Sequence, residues 1–99
     1  MTVYIDGAYL EFGRMRMCHM LADDLLELHE MAAAIGMQRR WFQPTSFPHY
    51  DVCISKRVRA VELGAVEIGR RELVEVMRRV RAQPWFGHWW DGALTRPVC

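Results

Sequence analysis

Apolar positions along the chain change spacing from block to block, which predicts short strands alternating with amphipathic helices. Val3, Tyr4 and Ile5 are β-formers followed by Asp6-Gly7, so a strand is expected over residues 2–5. Leu25, Leu28, Ala32 and Ile35 recur at helical spacing behind Asp23 or Asp24 as cap, with Gly36 as the stop. Trp41 and Phe42 place a second strand over 38–43, after which Pro44 and Pro48 enforce an extended loop. Ile54, Val58 and Val61 predict a second helix over 52–63, ended by Gly64. Residues 65–68 form a compact apolar strand, and Leu73, Val76, Met77 and Val80 mark a third helix over 70–83 with Pro84 behind it. Residues 8–21 show no clean period and read as a loop with an aromatic plug.

That order, β-α-β-α-β-α, predicts a Rossmann-like α/β fold: a small three-stranded parallel sheet of order 2-1-3 with three helices on its faces. A chain of 99 residues has room for one domain, taken as residues 1–83. Residues 84–99 hold Trp85, Phe86, Trp89 and Trp90 without helical spacing, so this aromatic tail is expected to lie on the domain or on a second subunit. With 52% hydrophobic residues, four Trp and seven Met, the chain carries more apolar area than one small core hides, and a homo-oligomer is expected.

Charge changes the picture by its distribution. The net charge of +1 supplies no field for nucleic acid. Arg39-Arg40 beside Trp41-Phe42 lies in no nucleic-acid-binding module, so nucleic acid is not the expected partner. Residues 1–55 hold four basic and seven acidic side chains, whereas residues 56–81 hold eight and four, which suits a local anion site or complementary subunit faces. Cys18, Cys53 and Cys99 are odd in number with no CxxC spacing, and no apolar leader precedes the first strand; a reducing, cytoplasmic setting is expected. No apolar run approaches the roughly 18 residues that cross a bilayer.

In an open parallel sheet, ligands bind beyond the carboxyl ends of the strands. On the expected topology that rim collects Asp6, Asp23, His49, Tyr50, Asp51, Arg70 and Arg71. Lys56 and Arg57, like Arg70 and Arg71, sit where a helix begins, and cations there oppose the helix dipole by roughly 0.3–1 kcal/mol each. An anionic ligand would offset that cost; the structural alternative is that these side chains simply reach solvent. His49 and Asp51 are two apart and point alike in an extended chain, which permits an Asp-oriented imidazole suited to acid-base work. His19 precedes Asp23 by four, so both share a face if the first helix starts a turn early. His49, Asp51 and His19 are thus the catalytic candidates. A divalent metal held by His19, His49 and a carboxylate, Asp51 or else Asp6 or Asp23, is the cofactor such a set would take. The structural alternatives are a cap for Asp23 and Asp51 and a satisfied loop carbonyl for His49. His29, mid-helix beside Glu30, reads as a surface or core-edge residue. Cys18-His19 lacks an oxyanion motif, and with no GxSxG, P-loop or GxGxxG, nucleophilic catalysis is not expected.

The steps Thr2-Val-Tyr-Ile-Asp6, His19-x-x-x-Asp23, Leu28-His29, Gly36 with Arg40-Trp-Phe42, His49-Tyr-Asp51 and Arg57 with Gly64-Ala65 resemble the bacterial and phage domain-of-unknown-function family 4031. The resemblance covers about residues 1–75, and residues 8–17 depart from it. It implies a phage or bacterial intracellular origin and names no substrate.

The function expected from the residues is binding, extending to sequestration, of an anionic phosphorylated small molecule such as a nucleotide. Lys56, Arg57 and Arg70 would hold its charge, while Asp6, His19, His49 and Asp51 would fix its orientation. One alternative is a metal-dependent phosphodiester hydrolase on the same His/Asp rim. Another is a protein-protein interaction module that docks through the aromatic tail.

Overall fold

The computed structural model describes residues 2–7, 10–12, 15–44 and 47–83, so the expectation for residues 84–99 lies outside the described residues. The elements in chain order are β1 (Val3–Asp6), β2 (Leu10–Phe12), β3 (Met15–Ala22), α1 (Leu25–Ala34), a 3-10 turn (Arg39–Trp41), β4 (Tyr50–Cys53), α2 (Ile54–Glu62), β5 (Val66–Ile68) and α3 (Arg70–Arg81). The three helices fall where their periodicity places them. Positive φ at Gly36 (87°) and Gly64 (109°) ends the first two, a conformation that a side chain would strain.

The sheet is mixed, and this corrects the three-stranded parallel expectation. β1 pairs antiparallel with β3 and parallel with β5, and β3 also pairs antiparallel with β2 and β4. Met20 pairs with both Ile5 and Tyr50, so β1 and β4 flank β3 on opposite edges. Met17 likewise pairs with both Leu10 and Cys53, which puts β2 on the same edge as β1. Five strands therefore occupy four columns: β4, β3, β1 together with β2, and β5. Order 2-1-3 is replaced because β3 stands at the centre, in a segment expected to be a loop.

The physical reason is burial on both faces. Cys18, Met20 and Ala22 face α1 and α2 in one core, with Ile5, Tyr50, Val52, Leu28, Ala32 and Ala60. Leu21 faces α3 in a second core with Ile68, Leu73, Val76 and Val80. Cys18, Met20 and Ala22 are buried on one face and Leu21 on the other, so this part of the strand shows no polar-apolar alternation to read. Burying Met20 and Leu21 completely stabilises the fold by about 1.5–3 kcal/mol each.

The expected strand over 38–43 is also corrected. Arg39–Trp41 forms a 3-10 turn, Phe42 drops into the first core, and only Gln43 pairs, through an isolated antiparallel bridge to His49. Pro44 lacks the N–H a ladder would need next. α2 starts at Ile54 rather than residue 52, which leaves Tyr50–Cys53 free to form β4.

Candidate metal centre

The antiparallel register of β3 and β4 sets His19 directly opposite Asp51, and the neighbouring register of β1 brings Asp6 beside His19 from the other side. These side chains project from the α3 face of the sheet, the face of Leu21, because residues two apart share a face. His49 enters β4 one residue before Tyr50, and its ring meets that of His19 with centroids 5.4 Å apart. One donor atom from each of His19, His49 and Asp51 lies within 4.8 Å of the other two.

Each of the three is held by a neighbour. The Asp6 carboxylate, 1% exposed, accepts the His19 backbone N–H at 2.8 Å and meets His19 Nδ1 at 2.9 Å. His49 Nδ1 lies 2.8 Å from the Phe47 carbonyl, so that nitrogen carries the proton and donates. Phe47 stacks on the His49 ring at 4.3 Å, fixing its plane. Gln43 Nε2 donates to Asp51 Oδ2 at 2.7 Å. Both imidazoles thus spend Nδ1 on an orienting acceptor and turn Nε2 inward, the arrangement that fixes tautomer and direction in metal-ligating histidines.

What remains at the centre is one nitrogen of each imidazole and the Asp51 carboxylate, gathered at one point. His49 Nε2 sits 3.3 Å from Asp51 Oδ1. Nδ1 donates to the Phe47 carbonyl, so Nε2 is the His49 nitrogen that faces Asp51, placed to pair with the carboxylate or to ligate an ion beside it. Donors on an ion with bonds of 2.0–2.2 Å stand roughly 3–3.5 Å apart, so this pair already has ligand spacing. The His49 hydrogen bond holds the Asp51 carboxyl below its usual range, with Gln43 adding to it, while the hydrogen bond to Asp6 raises His19 above its ordinary value against the effect of burial. Two nitrogens and one carboxylate oxygen suit a borderline divalent ion such as zinc, iron or cobalt, with positions left over for water or substrate.

Of the ten residues expected at the site, Asp6, His19, His49 and Asp51 come together. The other six are placed elsewhere. Tyr50, between His49 and Asp51 in sequence, points to the opposite face, fully buried, with its hydroxyl 2.7 Å from His29 Nδ1. Burial pushes that histidine down to about 4 and the tyrosine up to about 12, so a neutral His29 accepts a hydrogen bond from the phenol hydroxyl, which keeps its proton. Asp23 does not share a helical face with His19, because His19 lies in a strand and residues four apart there are about 13 Å apart. Its oxygens accept from the Tyr4 hydroxyl at 2.9 Å and from Arg79 at 3.0 Å instead.

The cations are engaged as braces. Lys56 Nζ donates to the Ile35 carbonyl at 3.2 Å, where the C-terminal end of α1 favours positive charge. Gly36 leaves it room, since a Cβ there would lie 3.1 Å from Nζ. Arg57 Nε donates to the Asp6 backbone carbonyl at 2.9 Å while its guanidinium pairs with Glu67 at 3.1 Å. Arg70 and Arg71 open α3 beyond β5, with β1 and β3 between them and β4, roughly 10–15 Å away by strand spacing. The expected single rim of carboxyl ends is therefore lost, because His19 comes from the middle of an antiparallel strand.

Gln43 and Phe47 carried no signal as site residues: one acts through an amide that only tertiary structure aims, the other through a backbone carbonyl. Cys18, next to His19 in sequence, points to the opposite face. Its thiol lies 3.3 Å from the Val52 carbonyl, and burial pushes it up to about 11, the reverse of a reactive thiol. Among the described residues no helix is long and apolar enough to cross a membrane.

Fold and cluster together define a small mixed-sheet α/β protein with two histidines and one carboxylate gathered on one face of its sheet. The chain belongs to the family described as Protein of unknown function (DUF4031), whose profile matches residues 3–80. No curated protein and no solved structure gives a significant match.

Proposed function

We propose that this protein is a divalent-metal-dependent hydrolase of phosphate esters, with His19, His49 and Asp51 as the metal ligands. The observation that carries the reading is the 3.3 Å approach of His49 Nε2 to Asp51 Oδ1 while Nδ1 of both histidines is already committed to Asp6 and Phe47. That geometry favours an ion over a set of loop anchors. His19, His49 and Asp51 would hold the ion, which would supply Lewis acidity toward an anionic phosphoryl oxygen and would lower the pKa of water. Water loses a proton to solvent and its oxygen attacks phosphorus. The bond from phosphorus to the leaving oxygen then breaks, and the departing alkoxide takes a proton from solvent. The sum is ester plus water giving phosphate and alcohol. A phosphate binder without a metal would rest on Lys56, Arg57 and Arg70, of which the first two brace backbone carbonyls and the third opens α3 beyond β5.

Calorimetric titration of the whole chain with Zn2+, Co2+ and Mn2+ tests this, together with hydrolysis of bis(p-nitrophenyl) phosphate with and without EDTA. One ion per chain and EDTA-sensitive turnover are expected, both lost in His49→Ala. Failure of the unaltered chain to bind any of the ions, or equal binding by His49→Ala, would overturn the reading.

A further inference from the structure

Gln43 is tied to two of the three ligands at once. Its backbone N–H donates to the His49 carbonyl at 2.9 Å and its carbonyl accepts the His49 N–H at 3.0 Å. Its side-chain amide donates to Asp51 Oδ2 at 2.7 Å, on the oxygen that does not face His49. We propose that Gln43 is a positioning residue that restricts Asp51 to metal ligation through Oδ1 alone, and so keeps a coordination position open. This inference rests on the metal reading above.

A carboxylate can bind an ion through one oxygen or both, and the two-oxygen mode takes up an extra position and suits large, flexible ions such as Ca2+. A donor 2.7 Å from Oδ2 engages that oxygen in competition with an ion and holds the orientation of the carboxyl group. The position spared is the one a water or phosphoryl oxygen requires. The same restriction disfavours Ca2+ relative to smaller ions that accept nitrogen ligands. The backbone bridge holds the amide where it must be without using the side chain, so the two roles of Gln43 separate cleanly under mutation.

Gln43→Ala keeps the bridge to His49 and removes only the amide. Loaded with Co2+, the variant is expected to bind one ion per chain but to show an altered visible absorption spectrum, reporting a changed ligand count. Its preference for Zn2+ over Ca2+ should narrow by about tenfold, the size of effect that outer-shell partners exert. Co2+ binding with a spectrum and an ion preference indistinguishable from the unaltered chain would overturn this inference and leave the metal reading standing. Absence of Co2+ binding to the unaltered chain would remove both.

Discussion

The Asp6 carboxylate grips His19 at two points, accepting its backbone N–H at 2.8 Å through Oδ1 and meeting its ring Nδ1 at 2.9 Å through Oδ2. The backbone contact replaces a ladder bond, so a single side chain both continues the sheet and aims an imidazole. Asp6→Asn preserves shape but puts an amide where one of two accepting oxygens stood. Zinc affinity is expected to fall by about 10–100-fold, the usual cost of losing an outer-shell carboxylate. Stability is expected to drop by about 1–3 kcal/mol from the mismatched buried group. Zinc titration and urea denaturation of the metal-free protein separate the two effects.

Asp23 belongs with Tyr4 and Arg79, not with His19. Asp23→Asn is therefore expected to leave zinc affinity within about twofold and to lower stability by no more than ~1 kcal/mol, since the Arg79 pair is half-exposed. A tenfold loss of zinc affinity would contradict the placement of Asp23 outside the centre.

Lys56 and Gly36 act as a unit at the end of α1. Gly36→Ala places a Cβ 3.1 Å from Lys56 Nζ on a backbone with φ +87°, and should cost about 1–2 kcal/mol of stability. Lys56→Met should cost about 0.5–1.5 kcal/mol by orphaning the Ile35 carbonyl. The double variant is expected to be less destabilised than the sum, because the methionine removes the charged head that the added methyl group crowds. Strict additivity in denaturant titrations would show that the two residues do not interact.

His29 makes stability depend on pH. Burial, with Arg39 nearby, pushes it from its ordinary 6.5 down to about 4. Between those values the unfolded chain binds the proton that the folded one refuses, so stability is full above about pH 6.5 and is lost as pH falls toward 4. With its partial exposure taken into account, the loss is about 1–2 kcal/mol. In His29→Gln, whose amide oxygen still accepts from the Tyr50 hydroxyl, that part of the slope should vanish. Denaturation at pH 7 and pH 4.5 gives the comparison, and an equal loss in both proteins would show that His29 is not its source.

The three helices and their glycine stops follow from sequence, because periodic apolar faces and positive-φ termini are local properties that no tertiary partner has to supply. His49 and Asp51 are legible as a pair for a similar reason, since two residues apart on any extended chain point alike. The sheet was decided by packing: Cys18, Met20 and Ala22 pack against α1 and α2 while Leu21 packs against α3, and apolar residues on both faces leave no alternation to read. Only the antiparallel register of β3 brings Asp6, His19 and Asp51 into one row. The fates of Lys56 and Arg57 were likewise settled at long range, since helix-start cations become braces or ligand contacts according to which carbonyls the fold carries to them.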